Sequence, residues 1–294
     1  MQNSPILYVK LVLTMAIWGG TFVAGRVVSQ TINPFTASFS RFAIASVCLG
    51  LLTFPGQNKL PRLTFRQVLL VILLGLSGVL AYNIFFFVGL KEISASRAGL
   101  IIALNPVAIT ISSRIFFQEK LTSLKIIGIF ISFLGAALVI TEGNISSLIA
   151  HGVGKGELSI LGCVVSWVIY SLLGKLAMQE LSALTTTTYA IWSGTILLLP
   201  LAIGEQKNQL PNINLLTGVS LAYLGVLGTV VAFNWYYDGI KAISAAKAAI
   251  FINLVPVFAI IFSVLFLQES LSYILLLGGS LVILGVSLVN KSNA

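Results

Sequence analysis

The stretch from Gly89 to Val139 occurs in this chain twice. Slid by 150 positions without a gap, it falls on Gly239 to Val289, and 21 of the 51 positions are identical. Gly-Leu-Lys-Glu-Ile-Ser at 89 to 94 meets Gly-Ile-Lys-Ala-Ile-Ser at 239 to 244, and Pro106 meets Pro256. Phe-Phe-Gln-Glu-Lys-Leu at 116 to 121 meets Phe-Leu-Gln-Glu-Ser-Leu at 266 to 271. Self-similarity at a fixed period means that one structural unit has been used more than once. Any fold for this chain is therefore built from two copies of one unit.

The nature of the unit depends on its solvent. Hydrophobic residues make up 57% of the 294 residues and charged ones 9%, and the mean hydropathy is +1.03. A soluble domain carries roughly 25% charge, so this chain belongs in a bilayer. Helices of about 20 residues are ~30 Å long and cross the hydrocarbon; the length allows about ten, with nothing large left for a soluble domain. A net charge of +9 would point to nucleic acid in a soluble protein. Here the basic residues gather in short loops between apolar runs, where they set orientation, and no nucleic-acid partner is expected. Cys48 and Cys163 lie in apolar runs without a CxxC pairing, and His151, the one histidine, sits in a glycine-rich loop. Neither a disulfide framework, a metal site nor a cofactor is expected from that set.

Read in order, the first unit gives spans at about 6–28, 34–54, 67–90, 94–117 and 123–140. The second gives 157–178, 182–203, 215–237, 244–267 and 271–289. The first apolar run is long for a signal peptide and lacks a clear cleavage site, which predicts an uncleaved helix. Within it, Trp18-Gly19-Gly20-Thr21 sets a large aromatic beside two small residues that permit close helix approach. The short link Lys91-Glu92-Ile93-Ser94 predicts two neighbouring antiparallel helices, and Thr122 and Ser272 are suited to N-cap the helices they precede. The polar loop from Thr141 to Gly156 divides the halves, and Trp18 with Trp167, like Arg26 with Lys175, correspond at a shift of 149.

Five spans per unit is an odd number, so the second copy enters the membrane from the opposite side. With both termini cytoplasmic, eleven Lys and Arg fall inside and five outside, Arg41 lying within a span. That is the bias the positive-inside rule requires. The expected fold is an all-α integral membrane protein of about ten transmembrane helices, arranged as two inverted five-helix repeats. Secondary transporters are commonly built this way, because exchanging the conformations of the halves turns an inward-open state into an outward-open one.

Ten spans in two units, the early Trp-Gly motif, Ser-Arg-Phe at 40 to 42, and the apolar-Gln-Glu-x-Leu-Thr/Ser that ends spans four and nine together resemble the drug/metabolite transporter superfamily. More narrowly, the chain resembles its EamA-type exporters. The resemblance covers the whole chain and implies two EamA-type five-helix repeats, residues 1–148 and 149–294. It further implies a multi-pass carrier of the bacterial inner membrane, exporting small metabolites such as amino acids by alternating access through a central cavity. The partners would be the lipid bilayer and a small-molecule substrate. Proton coupling and uniport are both open, as are a monomer and a homodimer. One position departs from the repeat: Ala190 occupies the place that matches Arg41, so any role for Arg41 is one-sided.

Polar groups inside spans are costly in hydrocarbon and tend to face the bundle interior or a wet cavity. Arg41, ~10 Å deep at 1.5 Å per residue, could hold a substrate carboxylate through its planar fork or snorkel to carbonyls at a helix break. Asn83 and Asn234 correspond once a one-residue gap is allowed, and an amide there either meets a zwitterion or joins two helices. Asn105 precedes Pro106, and Asn253 lies three residues before Pro256. Proline removes a backbone donor and frees a carbonyl, which makes the prolines candidate hinges and both asparagines candidate substrate ligands. Trp167 and Tyr170, with Trp18 and Tyr82, could line a cavity suited to flat or amphipathic ligands.

Glu119 and Glu269, ending spans four and nine, read as structural, since a carboxylate there can take the free amides that start the next helix. Asp238, the only aspartate, either titrates or ends its helix at the surface. An intramembrane enzyme would need a His-x-x-Glu-His site or paired aspartates, and a channel would need filter carbonyls or charged rings. The chain offers neither set. It is not expected to be an enzyme, and a carrier accounts best for the inverted repeat.

Overall fold

The computed structural model describes residues 5–53, 60–118, 122–143, 153–206, 213–243, 248 and 251–291. His151, Glu119 and the first residues of the ninth span lie outside this set. Among the described residues the chain is helical and contains no strand. The first half supplies spans Pro5–Ser29, Pro34–Thr53, Phe65–Glu92, 95–117 and Ser123–Thr141. The second supplies Lys155–Ala177, Ala183–Gln206, 215–243, Leu254–Leu267 and Tyr273–Lys291. Eight of these are long and apolar enough to cross a membrane, and the last two hold shorter apolar helices.

Local chemistry fixes the helix ends. Thr122 accepts the amide of Lys125 at 3.3 Å, and Ser272 that of Leu275 at 3.1 Å, so both expected N-caps form and satisfy an otherwise orphaned donor. Gln118 and Gln268, equivalent at the 150-residue shift, both stop their helices in the left-handed region, at φ 55° and 53°. The repeat thus extends to single backbone dihedrals. The fourth span is not continuous: it breaks between helices Ala95–Ile102 and Asn105–Phe117, and a turn likewise precedes Leu254 in the ninth. Pro106 and Pro256 stand in the first turn after each break, where a missing N–H costs no helical hydrogen bond.

Contacts between equivalent residues define how the halves meet. The fifth and tenth spans pack through glycines: a methyl on Gly135 would stand 2.6 Å from the carbonyl oxygen of Gly278, and one on Gly128 2.6 Å from that of Gly285. These two contacts exchange with one another under the 150-residue shift. Between them, Ser132 donates to the carbonyl of its own equivalent, Val282, at 3.4 Å. Elsewhere Ser46 and its equivalent Thr195 share a hydrogen bond of 2.9 Å between the second and seventh spans. Residue pairs that exchange, and residues that touch their own copy, are the marks of a two-fold relation. A pseudo-two-fold axis between repeats is the arrangement of inverted-repeat transporters.

The first span threads this interface. Its Gly19 lies against Phe258, whose Cβ a methyl would approach to 2.5 Å, and its Gly20 against Tyr223, whose hydroxyl a methyl would approach to 2.2 Å. The paired glycines after Trp18 therefore permit close approach, as read from the sequence. The link at 91–94 behaves differently from expectation. It joins spans three and four directly, yet the two make little lateral contact, because both lean on the sixth span instead. A methyl on Gly89 would stand 2.4 Å from Ile160, and one on Gly156 2.5 Å from Ile93, so small residues draw the sixth span into that position.

Glu269 also departs from the expected partner. Its carboxylate accepts the amides of Ala95 at 2.7 Å and Ser96 at 3.1 Å, and the Ser96 hydroxyl at 2.7 Å. It caps a helix start, as expected, but that of the fourth span in the other repeat. A carboxylate at a helix N-terminus meets both free donors and the positive end of the helix dipole. Glu205 does the same for the second span, accepting the amide and hydroxyl of Thr36, both at 2.8 Å. Asp238 is 54% exposed and lies 3.8 Å from Lys10, but it does not end its helix, which runs on to Ile243.

Candidate functional site

Two spans carry a wider backbone where they approach the centre. In the third span residues Gly75–Ala81, and in the eighth residues Tyr223–Val231, are π-helical. The amide of Tyr82 reaches back five residues to Ser77, and that of Ala232 five to Leu227. Such segments arise where an α-helix accommodates an extra residue, and they concentrate at functional sites. Glycines let neighbours close on them. A methyl on Gly75 would meet the Ala190 carbonyl oxygen at 3.0 Å, and one on Gly225 would meet the Arg41 carbonyl oxygen at 2.8 Å. Arg41 and Ala190 are equivalents, so each π-segment seats the same point of the other half.

From that seat the Arg41 side chain, 9% exposed, runs into the centre of the molecule. Its Nη1 donates to Asn83 Oδ1 at 3.0 Å, and its Nε and Nη2 both point to Thr229 Oγ1 at 3.4 Å. Asn83, just after the first π-segment, spends its own Nδ2 donor on the carbonyls of Val79 at 2.9 Å and Gly78 at 3.3 Å. Thr229, inside the second, donates to the carbonyl of Leu224 five residues back at 2.9 Å. The widened turns thus orient both acceptors toward the guanidinium. Its Cζ also lies 5.2 Å from the ring centroid of Phe42, within cation–π range.

These groups border a cavity of about 50 Å³. Aromatic rings form much of its wall: Trp167 stacks on Tyr170 with centroids 5.2 Å apart, and Tyr82 meets Trp167 at 5.5 Å. Phe42, Thr187, Ile191 and Phe233 complete it with Gly78 and Val79. The Tyr170 ring rests on Gly78, where a methyl would come within 2.2 Å. A cavity of about 150 Å³ holds benzene, so in this conformation the space is too small for a ligand of that size.

Arg41, Asn83, Trp167 and Tyr170, all singled out from the sequence, come together here. Trp18 does not line the cavity; its indole donates to the Gly228 carbonyl at 3.2 Å, and its ring packs on Phe233 and Tyr236. Asn253 donates to Ser287 at 3.2 Å. Asn105 keeps a buried Oδ1 without a hydrogen-bond partner among the described residues, and Asn234 is half-buried; neither borders the space.

A sequence model of the EamA-like transporter family matches residues 5–141 and, a second time, residues 154–291. The chain belongs to the EamA-like transporter family. It is accordingly a multi-pass membrane transporter of a small molecule. Similar proteins include a Bacillus subtilis protein named "Uncharacterized transporter YyaM", 32% identical over 95% of this chain and 92% of that one. Another, from Streptantibioticus cattleyicolor, is named "Probable terminal-alkyne amino-acid exporter" and is 29% identical over 96% of this chain and 92% of that one. A crystal structure covering 95% of this chain and 94% of its own superposes with a TM-score of 0.64 at 18% identity, a likeness of fold.

Within this EamA-like chain, the two repeats differ by one inserted residue where the cavity lies. Gly-Leu-Ser-Gly-Val-Leu-Ala-Tyr-Asn at 75 to 83 stands against Gly-Val-Leu-Gly-Thr-Val-Val-Ala-Phe-Asn at 225 to 234. Aligned on the glycines and the asparagine, the residue added in the second copy is Thr229, the partner of Arg41. The one-residue gap between Asn83 and Asn234 was therefore a readable signal for Thr229. Thr187 and Ile191 carried no such mark.

Proposed function

We propose that this transporter is a secondary carrier that exports small carboxylate-bearing metabolites, amino acids and related acids, by alternating access through the central cavity. One observation carries the reading: a buried arginine stands between the two repeats, held by neutral partners and facing an aromatic wall. An ionisable group at that depth is expensive in hydrocarbon and is retained where it meets a substrate or a pathway. Guanidinium presents five N–H donors; Asn83 and Thr229 engage three, leaving one on each terminal nitrogen. A carboxylate takes that pair as a fork. The name of the Streptantibioticus cattleyicolor relative, an amino-acid exporter, supports both substrate class and direction. The small volume of the cavity supports a cycle in which the halves must part to admit substrate, with the breaks before Pro106 and Pro256 as hinges. The distribution of Lys and Arg supports both termini in the cytoplasm of a bacterial inner membrane.

Counterflow in proteoliposomes tests the reading. Pooled amino acids and small organic acids are loaded inside, with wild-type protein beside Asn83→Ala and Trp167→Ala. Saturable exchange of one pool, weakened by both substitutions in folded protein, is the expected result. Exchange that both variants perform at the wild-type rate would move the site elsewhere.

A further inference from the structure

Among the described residues, the acidic side chains are placed so that none borders the central cavity. Glu142 and Glu157 flank Arg97 at 2.6 and 2.8 Å, Glu180 pairs with Arg66 at 3.1 Å, and Asp238 lies 3.8 Å from Lys10. Glu205 and Glu269 cap helix starts, Glu92 is exposed at a helix end, and Glu119 lies outside the described residues. Among the described residues, the lining of the central cavity holds one charge, that of Arg41, and no carboxylate.

We propose that the central site selects organic monoanions, carboxylates with an apolar or aromatic body and no cationic amine, over zwitterionic amino acids, and that Arg41 sets this choice. The proposal rests on reading the central cavity as the substrate site and sharpens its substrate class. A monoanion on Arg41 makes a neutral complex, whereas a zwitterion leaves the buried site with a net positive charge. Carrying an uncompensated charge through a low-dielectric interior is costly.

Both side-chain oxygens that face Arg41 are already turned to it. Thr229 Oγ1 receives both Nε and Nη2 of Arg41, and Asn83 Oδ1 receives Nη1. Their own donors are turned to backbone carbonyls, so both side chains are held with oxygen toward the guanidinium. Three of the lining rings already have a neighbour on a face: Arg41 lies over Phe42, and Trp167 is stacked on Tyr170. Specificity here arises from leaving the wrong ligand's charge without a partner.

The matched probes are L-3-phenyllactate and L-phenylalanine, which differ in a hydroxyl against an ammonium. Counterflow and thermal shift are measured on the full-length protein in both cases. Phenyllactate is expected to half-saturate at about tenfold lower concentration, and Arg41→Gln to abolish its exchange. Thr187→Asp adds a carboxylate to the cavity wall and is expected to shift preference toward phenylalanine, a gain that misfolding cannot produce. Phenylalanine saturating at an equal or lower concentration overturns the proposal and leaves the central site standing. Exchange of neither probe by wild-type protein, or exchange indifferent to Arg41→Gln, overturns the proposal together with the central-site reading.

Discussion

Thr229 shows how much one residue decides at this site. It is the added residue of the second π-segment, and its hydroxyl is what the Nε edge of Arg41 meets. Thr229→Val keeps the shape and removes the acceptor. A lost hydrogen bond to a charged group costs about 1.5–3 kcal/mol, so the half-saturating substrate concentration in counterflow is expected to rise by about tenfold or more. Thr229→Ser should restore it. Wild-type saturation by the valine variant would mean that the hydroxyl does not position Arg41. Arg41, Asn83, Trp167 and Tyr170 were legible in the sequence because charge, amide and large aromatics stand out within apolar runs. Threonine does not stand out, since its hydroxyl can be satisfied on its own helix, as that of Thr229 is on Leu224.

At the scale of elements, glycine contact between the fifth and tenth spans joins the halves most closely. Helix association in lipid depends on packing and hydrogen bonding rather than on the hydrophobic effect, so small residues that admit a neighbouring backbone matter most. A methyl on Gly135 would meet the Gly278 carbonyl oxygen and the Val282 amide nitrogen, both at 2.6 Å, and backbone atoms yield little. Gly135→Leu is expected to cost about 1–3 kcal/mol through overpacking, read as a lower unfolding midpoint of the detergent-solubilised protein. The same substitution at Gly204, where nothing lies within 4 Å of the added methyl, is the control and should leave the midpoint near wild type. Equal midpoints for the two variants would show that the fifth and tenth spans can part without loss.

For the molecule as a whole, the proposed cycle makes the two halves alternate in opening. Glu269 holds the start of the fourth span from the other repeat, so a cross-repeat contact must be broken or carried along when the cavity widens. Single cysteines along spans four and nine, in a background lacking Cys48 and Cys163, are expected to change reagent accessibility when substrate is added. The change should be reciprocal: positions protected from one side become reactive from the other. Accessibility indifferent to substrate at every position would count against alternating access about the two breaks.

The order of residues alone establishes that one unit is used twice, that an odd number of spans inverts the second copy, and where most helices begin and end. Those properties are local or arithmetical: apolar length, capping chemistry and parity need no tertiary contact. Tertiary structure decided which partner each helix takes. It sent Glu269 to the fourth span instead of the next helix, set the sixth span beside both the third and fourth, and turned Asn83 inward while leaving Asn105 and Asn253 outside the cavity. In water, an apolar stripe shows which face of a helix is buried. In a bilayer every face is apolar and lipid is as good a neighbour as leucine, so the facing of each span is written only in the packing of glycines and the few polar groups that find one another.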